Sequence, residues 1–168
     1  DRALRKGLSE YDRRHGWRGP LGRAEFSRAW RESIRRYALP EDVTEWATAM
    51  VVEITAKRVK ILFADDKSGF IPISHMRWAR KFKKEGIRGN LIRKASDVLQ
   101  KGDIIAVEPI SPKVFKSLSS HKFYALRQIP EVSGGIVAID PHTGRVLAMS
   151  SGFSSELSEF NRVTQAYR

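Results

Sequence analysis

Between Trp46 and Ile129 the sequence breaks into five short β-rich runs, none long enough to make a stable sheet alone. Trp46–Thr55 is the first. Val59–Phe63 follows across a tight Ala56-Lys57-Arg58 connection, and Asp65-Asp66-Lys67-Ser68-Gly69 reads as a turn into Phe70–Ile73. Ser74 is placed to cap a short helix carrying Met76, Trp78 and Phe82. A basic, polar loop then runs through Gly86 and Gly89 to the last two runs, Asp103–Ile110 and Phe123–Ile129. Three strands, a helix and two more strands, all short, fit a small closed β-barrel better than a sandwich.

The flanks have other periods. Leu4, Leu8 and Tyr11 recur at helical spacing before the breaker cluster Gly16-Trp17-Arg18-Gly19-Pro20. From Ala24 to Leu39 the residues Phe26, Trp30, Ile34 and Tyr37 form one helical stripe, which Pro40 ends. At the other end, Gly135–Asp140 and Arg145–Met149 read as a hairpin around a four-residue turn. Two strands alone are marginal in water, so this hairpin is expected to need a larger sheet.

Charge narrows the function classes. The 168 residues carry 31 Lys and Arg against 19 Asp and Glu, a formal charge of +12. The excess lies in residues 1–40 and 74–101, while 131–168 is close to neutral, which points to more than one structural unit. Absence of cysteine excludes a disulfide scaffold, a Cys-ligated zinc site and thiol catalysis. No stretch approaches the roughly 18 consecutive apolar residues of a membrane-spanning helix, and the first residues have no apolar signal-peptide core. The chain is expected to be a piece of something longer, itself soluble.

No local arrangement supports catalysis. His15, His75, His121 and His142 are scattered over four segments without metal-ligand spacing, and no phosphate-binding glycine loop occurs. Glu41, Asp42 and Glu45 read as first-turn helix charges, and Asp65 and Asp66 as turn residues. No cofactor and no metal are expected.

Nucleic-acid binding is the alternative, because a basic barrel with Phe63, Phe70, Trp78 and Phe82 nearby could stack bases and neutralise phosphates. Ser68-Gly69-Phe70-Ile71-Pro72-Ile73 and the later Gly102-Asp103 resemble the OB modules of ribosomal and RNA-degrading proteins. Pro72 stands where those modules have histidine, so the resemblance supports the barrel more than an RNA site. The competing expectation is that Phe63 and Phe70 fill the barrel and Trp78 anchors the helix. Arg77, Arg80, Lys81, Lys83 and Lys84 would then be solvated.

The tail carries the most specific resemblance. Gly135-Ile-Val-Ala-Ile-Asp-Pro-His-Thr-Gly-Arg-Val-Leu-Ala-Met149, followed by Phe160-Asn161-Arg162, is similar to the opening of the transpeptidase domain of class A (bifunctional) penicillin-binding proteins. Ser151-Gly152 stands for the usual Gly-Gly, and Val163 for Ala. Residues 3–16 resemble the helical linker that leaves the glycosyltransferase domain of that family. The resemblance implies a linker helix at 1–17, an OB-like inserted domain at 18–130 and transpeptidase strands at 131–168. The fold class expected is mainly β with flanking helices, an OB-like five-stranded barrel plus a β-hairpin. It also implies that residues 1–16 and 131–149 lie close in space, and that the nucleophilic serine comes beyond Arg168, so that this stretch would not itself be acylated.

The expected function is that of a non-catalytic spacer and docking region of a cell-wall peptidoglycan synthase, on the periplasmic face of a Gram-negative inner membrane. Its partners would be the rest of the parent chain and an envelope activator protein or an anionic membrane surface, with nucleic acid unlikely. Arg77, Arg80, Lys81, Lys83, Lys84 and Arg88 are the expected contact residues.

Overall fold

The computed structural model describes residues 2–81, 89–110 and 122–154. They divide into two compact units. One holds residues 15–39 and 44–128, the other residues 1–14, 40–43 and 129–168. The protein is mainly β, with antiparallel sheets and two α-helices among the described residues.

The larger unit contains β1 (Gly22–Arg23), α2 (Trp30–Arg36), β2 (Ala47–Ile54), β3 (Arg58–Leu62), β4 (Ser68–Pro72), β5 (Asp103–Pro109) and β6 (Tyr124–Arg127). Strand β2 pairs with β3 and β5, β3 with β4, and β5 with β6, all antiparallel. The two free edges meet at a parallel bridge between Phe70 and Phe123, where the Phe70 N–H donates to the Lys122 carbonyl at 3.0 Å. The cyclic order β2-β3-β4-β6-β5 gives the OB-like five-stranded arrangement. A register shift between Val51 and Glu53 supplies the extra curl that such a small sheet needs.

Two-sided burial explains the unbroken apolar run of β5. Ala49, Val51, Ile105 and Val107 face the barrel interior with Val59, Ile61, Ile71 and Leu126. Met50 and Ile104 point the other way, under Trp30 and Ile34 of α2. Because residues i and i+2 share a face, neighbouring residues on these strands bury on opposite sides.

Three local expectations are corrected. The helical stripe expected over 24–39 is a helix only at Trp30–Arg36. Gly22 and Arg23 pair with Ile104 and Asp103, and the Ala24 N–H bonds to the Gly102 carbonyl, so the preceding backbone is committed to the sheet. Phe26 therefore rides outside, stacked on Trp30 at 5.5 Å. The Ser74-capped helix is a three-residue 3-10 turn, Ile73–His75, with no side-chain cap. Successive i to i+3 bonds, Met76 N–H to the Ile73 carbonyl and Ala79 N–H to that of Met76, continue tight turns in its place. Phe82, the third residue assigned to that helix, lies outside the described residues. Finally, no helix follows Glu41, Asp42 and Glu45; β2 begins at Ala47.

The second unit contains α1 (Arg2–His15, whose last residue belongs to the barrel unit), the 40–43 turn, β7 (Gly135–Ile139) and β8 (Val146–Ser151). The hairpin closes on Asp140–Gly144, with Gly144 at φ 68° donating to the Asp140 carbonyl. Asp42 is part of a clasp. Arg5 of α1 donates to the Asp42 carboxylate at 2.8 Å, to the Asp42 carbonyl, and to the Phe153 carbonyl at 2.8 Å. The other Asp42 oxygen accepts from the Ser154 hydroxyl at 2.7 Å. Buried Asp12 accepts the Glu131 N–H at 3.3 Å. These bonds bring the start of the chain beside segments more than 110 residues away. The hairpin exposes Ile136, Val137, Ile139, Val146, Leu147 and Met149.

Candidate interaction surfaces

The expected basic contact is built on buried anchors. Met76 and Ala79 are inside the barrel core, three residues apart, and Trp78 packs edge-on against Trp17 at 5.7 Å. Trp17 also donates its N–H to the Arg80 carbonyl at 2.6 Å and bridges Lys81. This anchoring leaves Arg77 and Lys81 exposed and Arg80 half-buried. Lys83, Lys84 and Arg88 lie outside the described residues. Three of the six expected contact residues therefore share one short, well-anchored stretch.

A second basic surface escaped the sequence reading. On β4, Gly69 and Ile71 are buried, so Phe70 points outward and does not fill the barrel as expected. Phe63 does pack against the core, beside Tyr124 at 4.9 Å. Outside, the Arg58 guanidinium lies 4.4 Å from the centre of the Phe70 ring, a cation–π contact. Lys60 sits directly across from Phe70, and Phe123 is 6.5 Å away at 43°. The cue was present, because Val59 and Ile61 as core residues force Arg58 and Lys60 outward. The strand parity of Phe70 was needed to use it.

The Gly102-Asp103 pair has a structural role. Gly102 adopts φ 86°, and a Cβ there would fall 2.4 Å from the Ala24 carbonyl oxygen. Asp103 is buried, accepting from the Arg23 guanidinium at 2.8 Å and the Gln100 N–H at 2.7 Å. A cleft of about 680 Å³ nearby is lined by Ala24, Phe26, Met50, Val52 and Lys101, among others. Among the described residues its lining places no nucleophile beside a base.

The Lys67 ammonium bonded to Asp65 holds that carboxyl below its usual range. Backbone N–H donors of Lys94 and Arg93 do the same for Asp97, and the Thr143 hydroxyl with the His142 N–H for Asp140. Burial pushes the Tyr124 phenol up. All four are turn or packing residues. His15, His75 and His142 lie on separate elements, and His121 is outside the described residues. Among the described residues no group of three metal-ligating side chains gathers, and no helix is long and apolar enough to cross a membrane.

Over 168 residues the chain is 39% identical to penicillin-binding protein 1A of Rickettsia typhi, covering 100% of this chain and 19% of that one. It is 32% identical to penicillin-binding protein 1A of Escherichia coli, covering 99% and 19% respectively. The crystal structure of penicillin-binding protein 1A from Haemophilus influenzae superposes with a TM-score of 0.64 at 26% identity, covering 98% of this chain and 22% of that one. The chain thus spans about a fifth of the length of the relatives it matches. Residues 17–132 match the family model of the penicillin-binding protein OB-like domain, and the chain belongs to that family.

Proposed function

We propose that the chain is the interdomain region of a bifunctional peptidoglycan synthase, acting as spacer and docking module on the periplasmic face of a Gram-negative inner membrane. Residues 1–17 would be the linker from the glycosyltransferase domain, 18–130 the OB-like insert and 131–168 the opening strands of the transpeptidase domain. The chain path supports this reading: the first and last segments share one unit, while most of the middle folds as another. An insert that returns its chain to the same unit lengthens a synthase without interrupting either catalytic fold. The exposed apolar hairpin suits a sheet completed by further strands of that domain.

Docking is assigned to Arg77, Arg80 and Lys81, extended by Lys83, Lys84 and Arg88. A cationic side chain near an anionic membrane surface contributes about 1 kcal/mol. Sedimentation of the 168-residue chain with phosphatidylglycerol vesicles tests it. Charge reversal at Arg77, Arg80 and Lys81 is expected to abolish most of the vesicle-bound fraction at low salt. Unchanged sedimentation would overturn the assignment.

A further inference from the structure

We propose that the outer face of β3, β4 and β6, where Arg58 and Lys60 flank the Phe70 and Phe123 pair, docks the carboxylate-bearing peptides and sugar rings of a peptidoglycan strand. This rests on the reading of the chain as part of a peptidoglycan synthase, and adds a polymer contact separate from the Arg77–Lys81 surface. The face is built by register: Arg58 is opposite Pro72, Lys60 opposite Phe70, and Phe70 bridges Phe123. Lys57 and Lys122 are exposed at its margins, their carbonyls holding the N–H groups of Ile73 and Phe70. Glu53 on β2 is in register with Lys60, and Glu108, opposite Ala125, accepts from the Arg127 guanidinium, which leaves Arg58 as the excess cation among the described residues of this face.

Ring geometry selects the occupant. A guanidinium over the Phe70 ring uses its carbon face there and keeps N–H donors for a carboxylate, which it can grip with two parallel bonds. Phe70 and Phe123 are tilted by 43°, and one face of Phe70 is already covered by Arg58. Successive nucleobases need open, roughly parallel platforms, which this pair does not offer. A glycan needs only ring edges against its C–H faces and cations for its peptide carboxylates. In OB barrels the corresponding strand face takes oligosaccharides as well as oligonucleotides.

The test is co-sedimentation of the 168-residue chain with purified peptidoglycan sacculi, with a single-stranded DNA oligomer as competitor. Arg58→Glu with Lys60→Glu, both outside the core, is expected to weaken sacculus binding about tenfold. Arg58→Lys, which keeps the charge but loses the planar fork, should give an intermediate loss. Arg77→Glu with Lys81→Glu should leave sacculus binding intact. Near-ultraviolet circular dichroism verifies folding of each variant. Failure of the unchanged chain to bind, equal binding by the doubly reversed variant, or displacement by DNA at stoichiometric concentration would overturn the proposal. Vesicle sedimentation on the same variants keeps the two readings apart, since the earlier one requires a loss on reversing Arg77 and Lys81 and none on reversing Arg58 and Lys60.

Discussion

Gly69→Ala probes how the barrel closes. A Cβ at Gly69 would sit 2.3 Å and 2.6 Å from two ring carbons of Tyr124 and 3.1 Å from the Lys122 carbonyl oxygen. Ordinary contacts begin near 3.4 Å, so the ring must retreat by about 1 Å, or β4 must part from β6. Retreat is resisted because Tyr124 already packs against Phe63 at 4.9 Å. Parting is resisted by the adjacent Phe70–Phe123 bridge. Overpacking of this kind costs about 1–3 kcal/mol, which for a domain of this size lowers the melting temperature by roughly 10 °C. Urea unfolding followed by tryptophan fluorescence measures the change. The decisive comparison is Gly69→Ala in a Tyr124→Ala background, where the obstructing ring is gone and the alanine should cost less than about 0.5 kcal/mol. An equal cost in both backgrounds would show that the Tyr124 ring is not the obstruction, and a single variant as stable as the unchanged chain would show that there is none.

The clasp in the second unit gives another prediction. Arg5 and Asp42 are about three-quarters buried at the side chain, 25% and 27% exposed, and their double-mutant cycle should show about 1–2 kcal/mol of coupling. Hydrogen exchange at amides 129–154 should quicken in Arg5→Met and in Asp42→Asn; additive effects would remove the clasp. Acid should loosen the hairpin turn. Asp140 binds its proton less readily when folded, so its contribution is present above the ordinary carboxylate pKa of about 3.9 and disappears as pH falls through its lower folded value. A carboxyl-carbon titration by NMR should find Asp140 below that ordinary value in the folded chain, and Asp140→Asn should flatten the pH response of the 140–144 amides.

Much of the fold was legible in the amino-acid order because its causes are local. Short β-rich runs located β2, β3 and β5 to within a residue or two, and the Asp140–Gly144 turn chemistry located the hairpin. Helix α1 followed from the spacing of Leu4, Leu8 and Tyr11. The basic run from Arg77 onward was visible as charge.

Partners far along the chain set the rest. β1 exists because β5, eighty residues later, accepts it, and that pairing shortened α2. Asp42 became a link to Arg5 and Ser154, across 37 and 112 residues, because a carboxylate on a turn goes to whichever donors the fold presents. The outward direction of Phe70 was decided by barrel parity: a shift of one residue moves a side chain to the opposite face, and local composition is the same in both registers.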